Sequence, residues 1–417
     1  MIKAKKENEN NHEINDWRKF DFSTIKEFSL DDKLFVVKIL SVDMNSFNDF
    51  SNLEELDLQD CGLNKIETNS FQHLNKLTRL NLSKNNIFQI DSDGFRGLDN
   101  LEELNLSYNK LKKIEVNSFQ HLLRLKKLHL YQNQIFKIDE NGLRGLDVLE
   151  ELYLWKNYLT KLESNSYQHL TKLKKLYLGY NKIKEIDING FLGLDNLEEL
   201  YLQHNLLLFI TPNSFQDLRK LKLINISNNS INQFVFDGFK GLENLEELNL
   251  SYNELNKIED NSFQHLLRLK KLHLYKNQIL KIDENGFKDL DNLQELDLGS
   301  NGLTTIESNS FGNLIKLKKL ALTKNKIIAI DFNGFLGLEN LEHLNLESNL
   351  FIEITQNSFH NLSKLKILNL KFNKIKIIHT NGFRGLDNLE VLYLSGNNIK
   401  GINLDLIRHM KKLNLNI

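Results

Sequence analysis

Four histidines stand at matching places in the sequence, and imidazole is the side chain best suited to metal binding or proton transfer. His73, His121, His169 and His265 follow one another at intervals of 48 or 96 residues, which are multiples of a 24-residue period described below. Zinc ligands must all lie ~2 Å from one ion, whereas strands two turns apart in a repeat structure are separated by ~10 Å. The spacing therefore predicts isolated histidines and no metal site.

Acidic residues followed by glycine form a second set, similar to a calcium-binding loop. In Asp91-Ser-Asp93-Gly94 the glycine is the fourth residue, whereas an EF-hand loop needs it at the sixth. We expect such glycines to adopt a left-handed backbone with positive φ, which glycine does without steric cost. The glycines concerned are Gly94, Gly142, Gly190 and Gly286.

The sequence contains no recurring arrangement that would activate a nucleophile. No serine or cysteine recurs beside a histidine and a carboxylate. Cys61 is the single cysteine, which excludes an intrachain disulfide framework. With 54 basic and 55 acidic residues, the chain has no net field to attract nucleic acid. We therefore expect a non-enzymatic protein without cofactors and without a nucleic-acid partner.

Aromatic residues are concentrated in one region, at positions that flank repeated leucines. In a strand, such positions point away from the leucine side. Exposed aromatic groups of this size mark recognition sites, and Tyr and Trp dominate binding hot spots. The predicted partner-binding residues are Tyr108, His129, Tyr131, Tyr153, Trp155, Lys156, Tyr177, Tyr180, Tyr201 and His204, and Tyr158 lies just beyond its strand.

Two structural explanations compete with recognition: cross-strand aromatic pairs stabilise a sheet, and aromatic residues favour strands in general. A duplication bears on the choice, because residues 101–131 return at 245–275 with three changes. The corresponding residues are His129 and His273, Tyr131 and Tyr275, Tyr153 and Asp297, Trp155 and Gly299, and Tyr177 and Ala321. Small residues are thus tolerated at three of these positions, although divergence alone does not separate selection from drift.

One repeated segment supplies the elements that would position these residues. Fifteen segments begin with leucine at intervals of 24 residues, from Leu53 to Leu389, without an insertion. Each follows L-x-x-L-x-L-x-x-N-x-L-x-x-I-x-x-x-x-F-x-x-L, as in Leu101 to Leu122. The L-x-L alternation predicts a short strand with one buried face, and equivalent strands become neighbours ~4.8 Å apart in a parallel sheet.

This pattern resembles the leucine-rich repeat family, in particular the typical 24-residue subtype found in Toll-type receptor ectodomains, chaoptin-like and Slit-like proteins. The resemblance extends over about residues 34 to 410. It implies a leucine-rich repeat solenoid of the α/β horseshoe class, with a parallel concave sheet of about sixteen strands and a convex side of irregular or 3-10 turns. It also implies a rigid platform for protein ligands.

Two columns of equivalent residues belong to the predicted interior. Asparagine recurs from Asn85 to Asn397, and its amide can bond the backbone of its own turn and of the adjoining turn, which predicts an asparagine ladder. Cys61 stands in the same column, so we expect a structural thiol. Phenylalanine recurs from Phe71 to Phe383, with Leu143 and Tyr167 as substitutes, and is expected to fill the convex side.

Alternate repeats differ in charge, which makes the true period 48 residues. Glu102 and Glu103 precede one strand, and Lys126 and Lys127 precede the next. Opposite charges on neighbouring strands contribute roughly a few tenths of a kcal/mol each, so the alternation is expected to fix the register of the repeats. The alternative is a mixed-charge binding surface.

We divide the chain into four segments. Residues 1–15 are expected to be disordered, 16–52 to form an N-terminal cap with a degenerate repeat, 53–412 to form fifteen 24-residue repeats, and 413–417 to form a truncated C-terminal strand. The predicted cap residues are Trp17, Phe20, Phe22, Ile25 and Phe28. Near the C-terminus the charge alternation lapses at Ile367, Phe372, Val391 and Tyr393, where capping or weak self-association through the C-terminal edge competes with a second partner site.

Two features bear on location. No run approaches the ~18 apolar residues of a membrane span, and the N-terminus lacks the apolar core of a secretory signal. The chain as given is therefore expected to be cytoplasmic, whereas a fragment of a larger receptor would be extracellular. After export, sequons at Asn81, Asn105, Asn225 and Asn249 would be candidate glycan acceptors.

The leading prediction is a non-enzymatic, protein-binding repeat scaffold that holds a protein partner on its concave face. The alternative is a fragment of a receptor-type ectodomain, Toll-like and serving recognition or adhesion, without its signal, cysteine caps and membrane anchor. A third interpretation is a spacer with no specific ligand.

Overall fold

A computed structural model of the chain describes most of the repeat region. The described residues are 4–6, 27–29, 37–39, 42, 47–48, 50–235, 237–401, 404–410 and 413–416. They fall into two units, the first comprising Met1–Asn205 with Asp217–Lys220 and the second Leu206–Gln216 with Leu221–Ile417. Each unit is a β-solenoid of leucine-rich turns.

In the first unit, three-residue strands lie side by side as one parallel sheet, which we call the long sheet of that unit. Its strands are Glu27–Ser29, Glu55–Asp57, Arg79–Asn81, Glu103–Asn105, Lys127–His129, Glu151–Tyr153, Lys175–Tyr177 and Glu199–Tyr201. Lys127 lies opposite Glu151, and from Glu55–Asp57 onward neighbouring strands are displaced by one 24-residue repeat, whereas Glu27 lies opposite Glu55, 28 residues away. This register confirms the predicted parallel pairing.

The second unit repeats this arrangement with its own long sheet. Its strands are Leu223–Asn225, Glu247–Asn249, Lys271–His273, Glu295–Asp297, Lys319–Ala321, His343–Asn345, Ile367–Asn369, Val391–Tyr393 and Asn414–Asn416. The pairing is again parallel, as in Lys271 opposite Glu295. A 3-10 helix, Leu404–Leu406, precedes the last strand.

A second set of short strands joins the turns in pairs, which the sequence did not predict. Its two-residue strands pair in parallel within one 48-residue double repeat. The pairs are Lys65–Ile66 with Gln89–Ile90, Lys113–Ile114 with Lys137–Ile138, Lys161–Leu162 with Glu185–Ile186, Lys257–Ile258 with Lys281–Ile282, Thr305–Ile306 with Ala329–Ile330, and Glu353–Ile354 with Ile377–Ile378. The 48-residue period of the sequence is therefore visible in the backbone.

The core of each unit consists of the repeated leucines and the phenylalanine column. Leu104 and Leu106, on either side of the outward-pointing Asn105, are fully buried. The rings of Phe71 and Phe95 stack with their centroids 6.1 Å apart. Each turn thus buries its apolar residues only because the next turn covers them.

The asparagine ladder is confirmed by its hydrogen bonds. Asn109 Nδ2 donates to the carbonyl oxygens of Leu106 in its own turn, at 3.1 Å, and of Leu82 in the preceding turn, at 2.9 Å. Asn109 Oδ1 accepts a hydrogen bond from the Ile87 amide at 2.9 Å. Both ends of the buried amide are thereby satisfied. Cys61 is buried, as expected of a structural thiol.

The prediction of positive φ at Gly94, Gly142, Gly190 and Gly286 was wrong, since none of these glycines has a positive φ. A Cβ at Gly94 would lie 2.8 Å from Ile66 Cγ2 and 3.0 Å from the Asp91 carbonyl oxygen. These glycines are therefore required because neighbouring turns approach closely. The left-handed glycines stand three residues later, as in Gly97 with φ of 92°.

The residue before each ladder asparagine has a left-handed backbone. The φ angle is 56° at Lys84, 55° at Tyr108 and 54° at Lys156. Its amide donates to the adjoining turn, as Tyr108 does to the Tyr131 carbonyl oxygen at 3.0 Å. The hydrogen bonds between turns thus hold a conformation that non-glycine residues disfavour.

The ends of the chain are described only in part. Ala4–Lys6, inside the segment expected to be disordered, forms a strand that pairs antiparallel with Val37–Ile39. The predicted cap residues Trp17, Phe20, Phe22 and Ile25 lie outside the described residues, and Phe28 lies in the first strand of the long sheet.

Candidate functional site

Four aromatic side chains stack on consecutive strands of the first unit's long sheet. We call this set, His129, Tyr153, Tyr177 and Tyr201, the aromatic ladder. Each successive pair of ring centroids is 4.6 Å apart, and the ring planes differ by 9° or less. The ring spacing matches the separation of strands in a sheet, ~4.8 Å, so the backbone sets the stacking distance.

A second group of predicted residues lies beside the ladder, towards the left-handed turns. Tyr131 and Trp155 stack at 4.5 Å, and the edge of Tyr108 meets Tyr131 at 5.6 Å. Lys156 Nζ lies 5.2 Å from the centroid of the Trp155 ring, within reach of a cation–π contact. These residues and the aromatic ladder therefore form one continuous surface.

Tyr180 and His204 complete this second group. Their rings stack at 4.1 Å, and Lys156 Nζ lies 5.7 Å from the Tyr180 centroid. Tyr158 stands apart from these residues, with Lys182 Nζ 4.7 Å from its ring centroid. All ten predicted residues thus lie on one face of the first unit.

The stacked rings are half-buried, while the residues at the margin are exposed. Tyr108 and Tyr180 are 43% and 46% exposed. The ladder rings cover one another's faces, so their accessible parts are edges and polar atoms. An arriving partner would meet a ridge of ring edges and few open aromatic faces.

Acidic residues at the start of the strands hold the polar atoms of the ladder. Tyr153 Oη donates to Glu151, and Tyr201 Oη donates to Glu199 Oε2 at 2.9 Å. Burial raises the pKa of Tyr153, and its contact with the Glu151 carboxylate raises that pKa further. Burial is also the main reason that the pKa of Tyr177 is raised. Tyr153 and Tyr177 are therefore neutral at physiological pH.

His129 begins the ladder and has a polar partner of its own. Its Nε2 lies 3.0 Å from Glu103 Oε1. Burial lowers the pKa of His129 below its ordinary value, although Glu103 opposes the shift. The imidazole is therefore held mainly in its neutral form.

The predicted alternation of charge forms ion pairs along the same sheet. Lys126 Nζ lies 2.8 Å from Glu102, and Lys174 Nζ lies 3.0 Å from Glu150. These pairs are exposed, so each contributes little to stability on its own. Their regular order keeps like charges apart on neighbouring strands.

The duplicated stretch in the second unit retains only part of this arrangement. Tyr252 meets the edge of Tyr275 at 5.6 Å, the separation found between Tyr108 and Tyr131. Asp297 and Ala321 stand where Tyr153 and Tyr177 stack in the first unit. The surface opens into a groove there, which the sequence did not reveal because a groove results from missing side-chain volume.

Three of the four recurring histidines, His121, His169 and His265, contact a carboxylate or amide group of the preceding turn, whereas His73 lies beside the adjacent Gln72 side chain. His121 Nε2 lies 2.7 Å from Asp93 Oδ1, and His265 Nε2 lies 2.9 Å from Asp237 Oδ1. The sequence signal for these contacts is a spacing of 28 residues between the two partners. Among the described residues, no three His, Cys, Asp or Glu side chains are grouped as metal ligands would be.

No helix in the described parts of the chain has the length and apolar character needed to cross a bilayer.

Comparison with solved structures identifies similar folds. A chain of the Toll–Spatzle complex from Drosophila is 22% identical, with a TM-score of 0.79 over 91% of this chain and 52% of that chain. This chain therefore spans about half the length of that relative. A leucine-rich repeat protein of Leptospira interrogans is 27% identical, with a TM-score of 0.69 over 89% and 92% of the two chains. A plant peptide hormone receptor in complex with the peptide RGF2 is 24% identical, with a TM-score of 0.62 over 89% and 60%.

Sequence comparison points the same way. No curated protein sequence matches this chain. The family profile described as leucine rich repeat matches ten overlapping segments, 37–87, 75–135, 99–154, 147–207, 195–255, 243–303, 267–327, 291–351, 340–399 and 364–416. Because these segments cover nearly all of the sequence, the chain belongs to the leucine-rich repeat family.

Proposed function

We propose that the chain is a non-enzymatic scaffold that binds a protein partner on the face of the first unit's long sheet. The observation that carries this proposal is the aromatic ladder, in which His129, Tyr153, Tyr177 and Tyr201 stack on four consecutive strands. Aromatic side chains supply large contact areas at a low cost in conformational entropy. Such a surface suits a partner that is itself folded and partly apolar.

The fixed geometry of the ladder also favours binding. Tyr201 is tied to Glu199 and His129 to Glu103, so these side chains are already ordered before a partner arrives. Immobilising a free side chain costs roughly 0.5–1.5 kcal/mol on association. A pre-ordered ridge avoids much of that cost, and this is the physical reason for placing the partner here.

Sheet stabilisation is the competing explanation, because stacked cross-strand rings strengthen a sheet whether or not a ligand binds. The second unit provides the means to separate the two roles. The second unit carries Asp297, Gly299 and Ala321 at the positions of Tyr153, Trp155 and Tyr177. It nevertheless forms a parallel sheet of the same kind.

The test transfers these residues into the first unit as the triple variant Tyr153→Asp, Trp155→Gly and Tyr177→Ala. Tagged wild type and variant are used to recover proteins from the native cells, and intact folding is verified by urea unfolding. We expect the variant to lose a partner that the wild type recovers. The control variant, Tyr275→Ala in the second unit, should keep it.

Recovery of the same proteins by wild type and triple variant, with both folded, would show that the ladder is not the binding surface. Loss of the partner by the Tyr275→Ala control as well would show that the binding site is not confined to the first unit.

A second proposal is that the chain is part of a receptor-type ectodomain. It is supported by the similarity of fold to the Toll-containing structure, of which it spans about half, and by sequons on the long sheets. Asn105 is half-buried on the sheet face, and its Oδ1 accepts a hydrogen bond from the buried Ser107 Oγ at 2.7 Å. The intact mass of the native protein tests this proposal: glycans at Asn81 or Asn105 support it, and an unmodified mass contradicts it.

A further inference from the structure

The second unit has a groove of about 440 Å³ on the face of its long sheet. The groove lies where the ladder position carries Asp297, Ala321 and Asn345, so no stack of rings fills it. Ile367 and Tyr393 line its other side and make much of the lining apolar.

One carboxylate in this groove has no cationic partner. Asp297 Oδ1 accepts a hydrogen bond from the Gly299 amide at 2.9 Å, and in the described part of the chain no lysine, arginine or histidine forms an ion pair with Asp297. The other carboxylate, Glu295, is neutralised by Lys319, whose Nζ lies 2.6 Å from Glu295 Oε1. The described lining of the groove therefore holds two carboxylates, one lysine and the imidazoles of His273 and His343, and Asp297 is the carboxylate that no ion pair neutralises.

We infer that this groove binds an arginine side chain of a peptide or protein partner, with the guanidinium on Asp297 and the aliphatic stem across Ala321 on the next strand. Ile367 lies three strands from Asp297, where it would contact a neighbouring apolar residue of the partner. Charge complementarity determines the sign of the ligand. The apolar lining favours arginine, because a guanidinium is more weakly hydrated than an ammonium group and its planar donors fit a carboxylate. The groove volume also leaves room for part of a neighbouring residue.

This site is independent of the aromatic ladder, which lies in the first unit. Where Tyr177 fills the first sheet, Ala321 leaves the second one open. The inference therefore stands whether or not the ladder holds a partner.

The chain offers a direct reporter for the test, since it contains three alanines, Ala4, Ala321 and Ala329. With ¹³C-methyl-labelled alanine, Ala321 reports on the groove and Ala329, in the short strand Ala329–Ile330, serves as an internal control. The probes are acetyl-Leu-Arg-Leu-amide and its citrulline counterpart, which has nearly the same shape without the charge. We expect a saturable shift of the Ala321 signal with the arginine peptide and roughly fivefold weaker binding of the citrulline peptide.

Asp297→Asn is the matched variant, because asparagine keeps the acceptor for the residue two positions later. Asn345, at the equivalent position of a later strand, makes that bond to the Glu347 amide at 3.1 Å. The variant should fold and bind both peptides equally weakly.

Equal affinity of the wild type for the two peptides would overturn the inference. So would retained preference for arginine in Asp297→Asn, or a shift of Ala329 as large as that of Ala321. The variant Tyr177→Ala in the first unit should leave the Ala321 titration unchanged, and a loss there would also contradict an independent site.

Discussion

At the scale of single residues, the ladder rings stack face to face, so that their edges are the parts accessible to a partner. An aromatic ring carries partial positive charge at its edge and negative charge on its face. The edges of Tyr153 and Tyr177 therefore suit acceptor groups and apolar side chains better than cations. Lys156, placed near Trp155 and Tyr180, adds a positive charge at the margin. We thus expect the partner surface at the ladder to be apolar and weakly acidic.

The titration of His129 gives a prediction at this scale. Because burial lowers its pKa from the ordinary 6.5, the folded protein binds this proton less readily than the unfolded chain does. The resulting stability is complete above the unfolded pKa and is lost as pH falls from there through the lower, folded pKa. The comparison is with His129→Phe, which keeps a ring but does not titrate. When pH is lowered from about 7.5 to about 5.5, we expect the urea midpoint of the wild type to fall more than that of this variant. Equal falls would show that His129 does not contribute.

A buried hydroxyl gives a second prediction. Tyr167 stands in the phenylalanine column, is 1% exposed, and its Oη has no hydrogen-bond partner among the described residues. An unsatisfied buried hydroxyl is destabilising, so Tyr167→Phe should raise the free energy of unfolding by roughly 1 kcal/mol. Urea unfolding measures the change.

The matched control is Phe119→Tyr, which adds the same hydroxyl to the same column two turns earlier. It should lower the free energy of unfolding. A destabilised Tyr167→Phe variant would mean that the hydroxyl has a partner, such as a buried water, that the geometry does not reveal.

At the scale of elements, each turn is stabilised by bonds that it makes with its neighbour. The long sheet, the asparagine ladder and the phenylalanine column all join equivalent positions of successive turns. The strands are only three residues long, so no strand would be stable without the others. The asparagines are the most sensitive of these contacts, because each satisfies several buried backbone groups at once.

Asn85 and Asn86 allow this to be tested with one chemical change at adjacent positions. Asn85 Oδ1 accepts from the Leu63 amide, and its Nδ2 donates to the Leu58 and Leu82 carbonyl oxygens, at 2.8–3.0 Å. Asn85→Ala should therefore cost roughly 3 kcal/mol of unfolding free energy, whereas Asn86→Ala should stay within roughly 0.5 kcal/mol of the wild type. Similar losses from the two variants would contradict the role of the ladder.

At the scale of the whole molecule, the repeat pattern makes energetic coupling short-ranged. A solenoid's stability is the sum of terms within turns and between adjoining turns. Within the aromatic ladder, Tyr153 and Tyr177 are neighbours at 4.6 Å, whereas His129 and Tyr201 are three strands apart.

Double-mutant cycles with alanine test this expectation. The Tyr153 and Tyr177 pair should give a coupling energy of about 1 kcal/mol, as stacked aromatic pairs do. The His129 and Tyr201 pair should be additive to within ~0.3 kcal/mol. Strong coupling of the distant pair would contradict short-ranged coupling and would show that the four rings are energetically coupled along the whole ladder.

The sequence predicts what depends on equivalent positions. The 24-residue period fixed the strands around Leu104, the asparagine ladder through Asn109, and pairs such as Lys126 with Glu102, because a regular stack brings equal positions together. The predicted site residues also proved to lie on one surface. Whether that surface binds a partner stays a prediction.

The sequence failed where the outcome depends on close approach between different positions. A Cβ at Gly97 would lie 2.5 Å from the Gln72 carbonyl oxygen of the preceding turn, which a pattern of single residues does not reveal. The contact of His121 with Asp93 and the groove at Ala321 have the same origin. Each arises from the shape of two turns together.

The left-handed residue before each ladder asparagine has a practical consequence. Its conformation is imposed by bonds between backbones, and its side chain ranges from Lys84 through Tyr108 to Gly396. Each unit therefore offers evenly spaced sites where an engineer could randomise side chains without redesigning the scaffold. A combinatorial library built on these positions would sample new binding specificities at a uniform pitch.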